Sequence, residues 1–109
     1  MAIDVQALAT SMFQAAWTVL KEKAPEVEAY AEGEFKKIAQ TVATIETARL
    51  RGQIAPEQAV LLFDMQKSAT RSVLLCSSGM ELLAAEAALN AAIAAARPVI
   101  NVALGFALV

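Results

Sequence analysis

RGQIAPEQ, residues 51–58, decides how the whole chain is read. Gly52 suits the left-handed position that closes a helix, and Pro56 suits the first turn of the next one. Glu57 then falls where negative charge is favoured, and Arg49 and Arg51 lie in the preceding turn, where positive charge complements the carbonyl end of a helix dipole. The segment is a corner between two helices.

Upstream of the corner, Phe35, Ile38, Val42 and Ile45 recur at intervals of three, four and three residues, with Tyr30 and Ala31 extending the stripe toward its start. Downstream, Leu62, Met65, Ala69, Val73, Cys76, Met80 and Leu83 recur in the same way. Together they predict an antiparallel hairpin zipped along an apolar seam. Two interruptions sit at equal distances from the corner, Pro25 lying 27 residues before Gly52 and Gly79 lying 27 after it. Ala24 is a poor N-cap, so Pro25 reads equally as a kink in a continuing helix or as a turn.

Before Pro25, Ile3, Leu8, Met12, Ala16 and Val19, flanked by Phe13, Trp17 and Leu20, form an amphipathic helical pattern. After Gly79 the chain is rich in alanine. Pro98 removes a backbone donor there, and residues 98–109, PVINVALGFALV, are expected to swing away from the helix before them. No strand alternation, tandem repeat or glycine-rich linker is visible. The expected architecture is a single all-α domain over residues 1–109, bundle-like and oligomeric. Its parts are an amphipathic helix over 1–24, hairpin arms over 25–51 and 56–78, and a hydrophobic C-terminal helix over 79–109, kinked near Pro98.

Composition narrows the function. Of 109 residues 58% are apolar and 18% are charged, below the usual quarter, so a monomer of this size has little polar surface to offer water. Nine basic and eleven acidic residues give a net charge of -2, without the basic excess of a nucleic-acid binder. Histidine is absent, which excludes a Ser-His-Asp triad, a Cys-His pair, an imidazole zinc site and the Glu-x-x-His pairs of di-iron bundles. The one cysteine, Cys76, cannot form an intramolecular disulfide and is expected to be a small core residue. The first ten residues, MAIDVQALAT, hold an acid and no base, so no cleavable leader is expected and the cytoplasm is the expected location.

Charge is uneven along the chain, with a net of -4 over residues 1–34, +3 over 35–71 and -1 beyond. Solvated helix faces account for this, and contacts between the acidic and basic parts of neighbouring copies are the sharper reading. Glu28 and Glu32 share a helical face, but acids are favoured near a helix start by the dipole alone, and no metal is expected. Lys36, Lys37, Arg49, Arg51, Lys67 and Arg71 form a basic band without the interleaved aromatic side chains of a single-strand nucleic-acid platform.

The strongest constellation is LLAAEAALNAAIAAARPVINVALGFALV, residues 82–109. Ala84, Ala88, Ala92 and Ala96 recur every four residues and allow another backbone to approach closely. Glu86, Asn90, Arg97 and Asn101 fall on one polar stripe, and every other face is apolar. A helix apolar nearly all round must be buried nearly all round. Three other helices of modest length could hardly enclose it together with the terminal Phe106, Leu108 and Val109.

The expected function is therefore structural and non-enzymatic: a subunit that forms a homo-oligomer or filament through this helix. Ala84, Ala88, Ala92, Ala96, Phe106 and Leu108 would pack between copies, Glu86 and Arg97 would pair, and Asn90 and Asn101 would fix register. No cofactor, nucleic acid or small-molecule substrate is expected. The alternative partner is a lipid bilayer entered by the C-terminal helix, as a pore-forming oligomer in its strongest form. Against it, Arg97 divides the charge-free residues into runs of 87–96 and 98–109, each shorter than the roughly 20 residues a span requires.

Overall fold

Helix ends are set by local hydrogen bonds at residues the sequence marks for them. Asp4 opens α1 (Val5–Lys23), its Oδ1 accepting the Ala7 backbone N–H at 3.1 Å and satisfying one of the donors left over at a helix start. At the corner, Gly52 adopts φ +68 and closes α2 (Glu28–Leu50). The Gln53 N–H donates to the Ala48 carbonyl at 2.8 Å and the Gly52 N–H to the Arg49 carbonyl at 3.1 Å, the crossed pair of bonds that ends a helix through a left-handed residue. Gln58 then reaches back from the first turn of α3 (Pro56–Ser78), its Oε1 accepting the Ala55 N–H at 2.9 Å.

The computed structural model describes residues 3–23, 28–78 and 82–109, and within them four helices and no strand. Pro25, Gly79 and Met80 lie outside the described residues. The last helix, α4 (Leu82–Leu104), continues through Pro98 to Leu104, where Gly105 at φ +77 ends it. Beyond that point the chain does not swing away as expected. Asn101 clasps it instead, with Oδ1 accepting the N–H groups of Leu108 at 2.9 Å and Val109 at 3.2 Å, and Nδ2 donating to the Val109 carbonyl at 3.0 Å.

Consecutive helices run in opposite directions. Moving along α2 from Glu34 to Thr41 carries the α3 partner back from Thr70 to Gln66, and moving along α3 from Phe63 to Arg71 carries the α4 neighbours back from Arg97 to Glu86. α1 packs along α4 and α2, and α3 packs along α2 and more lightly on α4. Among the described residues α1 and α3 make no contact. The core lies among α1, α2 and α4, where Met12, Leu20, Phe35, Ile38, Val42 and Ile100 are all 0% exposed. Burying each such side chain stabilises the fold by roughly 1.5–3 kcal/mol.

The expected stripe on α2 is the one buried, except that Tyr30 is 59% exposed. On α3 the expected seam is displaced. Ala59, Phe63, Thr70 and Leu74 point inward, whereas Leu62, Met65 and Cys76 are exposed, so Cys76 is not a core residue. This inward row meets a carboxylate on α2. Glu34 is buried, and a buried carboxylate is costly unless hydrogen bonds satisfy it. Thr70 Oγ1 donates to Glu34 Oε1 at 3.4 Å, Gln66 Nε2 donates to Thr70 Oγ1 at 3.3 Å, and Lys37 Nζ donates to Glu34 Oε2 at 2.9 Å. With Gln66 and Thr70 facing α2, the inward row of α3 is displaced from the expected seam by about one residue, roughly 100°.

Candidate functional site

α4 presents two unlike faces, and the residues that the sequence singles out are divided between them. Ala88, Ala92 and Ala96 are fully buried and Ala84 is half-buried. The close approach expected of this row is made inside the protomer. α1 runs antiparallel along α4, and Asp4, Ala7, Leu8 and Ser11 line a shallow cleft with Ala95, Ala96 and Val99. Small side chains on both helices bring the two backbones together.

The polar stripe faces α3. Arg71 Nη1 donates to Glu86 Oε1 at 3.1 Å across the groove, with both side chains partly open to solvent. Asn90 and Arg97 line the same groove beside Phe63, Asp64 and Lys67 and make no hydrogen bond or ion pair with the described residues. Asn101 is engaged by the C-terminal turn, as described above. Leu108 is buried, and Phe106 lies half-buried beneath Arg49, whose guanidinium carbon is 5.2 Å from the ring centroid. This cation–π contact binds the end of the chain to the hairpin corner. Of the basic band, Lys37, Arg49 and Arg71 therefore have partners within the chain.

The opposite face of α4 is uncovered. On it Leu83 is 77% exposed and Val102 82%, with Ala87, Ala94 and Pro98 exposed between them and Asn90 and Arg97 exposed along its α3 edge, while Leu82 at the helix start and Val99 beside α1 are half-exposed elsewhere on the helix. Sequence reading names none of these apolar side chains as interface residues, because the alanine row draws attention to the face that the chain itself covers. The usable signal is simple apolarity: a helix whose polar side is one narrow stripe leaves apolar surface behind wherever its neighbours stop. Leu61, Leu62 and Met65 form a second exposed apolar group on α3, beside a cleft of about 550 Å³ that also includes Thr41, Thr44 and Ile45.

Among the described residues no group of three or more cysteine, aspartate or glutamate side chains is placed to hold a metal ion. Leu82–Leu104 is long and apolar enough to cross a membrane by length and composition. Comparison with known proteins finds no matching family model, curated protein or solved structure.

Proposed function

We propose that the chain is a non-enzymatic structural subunit that assembles with copies of itself through the outward face of α4. The observation that carries this reading is the exposed apolar side of α4, where Leu83, Ala87, Ala94 and Pro98 lie opposite the buried Ala85, Ala92 and Ala96. Exposed apolar surface on a helix is a candidate interaction site, and covering a large side chain such as Leu83 is worth roughly 1.5–3 kcal/mol. A second copy supplies the same surface without any further partner, which is the logic of an isologous interface.

The test is the absolute mass of the detergent-free protein, by light scattering coupled to size exclusion over a range of concentrations. A discrete multiple of 11.5 kDa, or a regular filament, supports the reading. A mass of 11.5 kDa throughout overturns it.

A second reading, insertion of α4 into lipid, is favoured by its length and by the 39% burial of its most apolar stretch, which leaves most of that stretch uncovered. Two features weigh against it. Arg97 and Asn90 are exposed on the helix, and Pro98 has no N–H, so the Ala94 carbonyl lacks the donor a helix supplies four residues on. Both are costly in hydrocarbon. Flotation with phosphatidylcholine and phosphatidylglycerol vesicles separates the readings: the protein stays at the bottom of the gradient if α4 pairs with itself, and rises with the vesicles if it inserts.

A further inference from the structure

We infer that the C-terminal turn, residues 105–109, is a strap that holds α3 in place, and that its release lets α3 lift away while α1, α2 and α4 stay packed. The inference does not rest on self-assembly. α3 has the least to anchor it: among its described side chains Ala59, Phe63, Thr70 and Leu74 are the buried ones, and one of these is polar. It makes no contact with α1 among the described residues. Toward α2 it presents Gln66 and Thr70, whose bonds to Thr41, to Glu34 and to each other measure 3.3 to 3.5 Å, longer than the usual range. Such bonds add little net stability, because water offers the same groups equivalent partners.

Between α3 and α4 runs a groove that is closed differently at its two ends. Arg71 and Glu86 span one end as an ion pair partly open to solvent, an arrangement of small worth. At the other end Leu108 and Val109 lie in the groove, with Phe63 and Lys67 of α3 on one side and Ile93 and Arg97 of α4 on the other. Leu108 is 6% exposed, Phe63 2% and Ile93 7%. A side chain from the turn therefore completes an apolar cluster that α3 and α4 share, and burial of that side chain ties the turn to both helices.

The strap is itself held by few contacts, and none of them belongs to a helix ladder. Gly105 at φ +77 reverses the chain, Asn101 alone makes the three hydrogen bonds to Leu108 and Val109, and Arg49 covers Phe106 from the hairpin corner. Arg49 is exposed and Asn101 half-buried, so water competes for both. Without the turn, α3 keeps Ala59 and Leu74, the long polar bonds and one partly exposed ion pair, whereas α1, α2 and α4 keep the core of Met12, Phe35, Ile38 and Ile100. Lifting α3 bares Phe63 and Leu74 together with Ile93 of α4, apolar surface that the closed form hides. Openings of one weakly packed element lie below global unfolding in free energy.

Hydrogen exchange read by mass spectrometry tests this on the whole chain, comparing the wild type with Leu108→Ala and Arg49→Gln. Most of a helix's stability in a protein comes from packing its buried face, so α3 exchanges when it is released. In Leu108→Ala the amides of α3 are expected to exchange about tenfold faster or more, while α1 and residues 85–97 of α4 keep the wild-type rates. Arg49→Gln removes only the contact on Phe106, and is expected to speed the same amides by about threefold. Equal acceleration in α1 and residues 85–97 overturns the inference, because Leu108 then belongs to one cooperative core. Unchanged exchange of α3 in both variants overturns it as well, because α2 then holds that helix without the turn. Arg49 is exposed, so Arg49→Gln decides the matter even where Leu108→Ala fails to fold.

Discussion

Where α1 runs along α4, Leu8, Ala88, Ala92 and Ala96 are closed to solvent. Where α2 runs along α3, Glu34, Thr41, Gln66 and Thr70 form a polar ladder, and beside it a cleft opens between Ile45, Leu62 and Met65. The second pair is joined by a tightly capped corner of a few residues, whereas the first is joined only through the rest of the chain. Proximity in sequence therefore makes two helices neighbours, but the most extensive packing lies between the two helices farthest apart in the chain. Small apolar side chains allow the close, dry contact in which dispersion and burial are largest. A polar ladder contributes chiefly by satisfying groups that would otherwise be costly to bury.

The contrast can be broken at the α1–α4 seam first. Replacing Ala92 with phenylalanine inserts a large ring where no solvent-accessible space remains, and is expected to destabilise the fold by about 3 kcal/mol. Denaturant unfolding followed by circular dichroism would show a large fall in midpoint. If A92F instead keeps the wild-type midpoint and lowers only the oligomeric mass, the alanine row lies between copies and the division of faces on α4 is wrong.

A smaller effect is expected in the hairpin seam. Thr70→Val preserves shape but takes from Glu34 the hydroxyl that bonds Oε1, which is expected to cost about 1 kcal/mol in the same unfolding experiment. A stabilised T70V would mean that the ladder is dispensable and that α3 is free to turn its apolar row inward.

The corner was legible because Gly52 and Pro56 each have a local task that no distant contact alters, whereas the bond from the Ala55 N–H to Gln58 was not read from the sequence. The α2 stripe was legible for a related reason: Phe35, Ile38, Val42 and Ile45 meet no competing apolar row on the same helix. α3 was not, since Leu62, Met65, Ala69 and Val73 satisfy helical spacing as well as Ala59, Phe63, Gln66 and Thr70 do. The row that faces inward meets partners distant in the chain, such as Glu34, 36 residues from Thr70. On α4, the need for a close neighbour was legible in Ala88, Ala92 and Ala96. Which backbone fills that space was not, because an alanine row fits a helix of the same chain as readily as one from another copy. Asn101 illustrates the same limit: its place on the polar stripe was visible, but its bonds to Leu108 and Val109 depend on the reversal at Gly105.

The most direct test of a core-facing and an assembling side on α4 is the light-scattering mass of the double variant Leu83→Glu/Val102→Glu beside the wild type, with helicity checked on the same samples. Both residues are well exposed, so the charges are tolerated by the fold and harmful only where a second copy would cover them. The expected result is equal helicity, with a discrete multiple of 11.5 kDa for the wild type and 11.5 kDa for the variant. Equal masses for the two proteins would contradict a self-association built on this face.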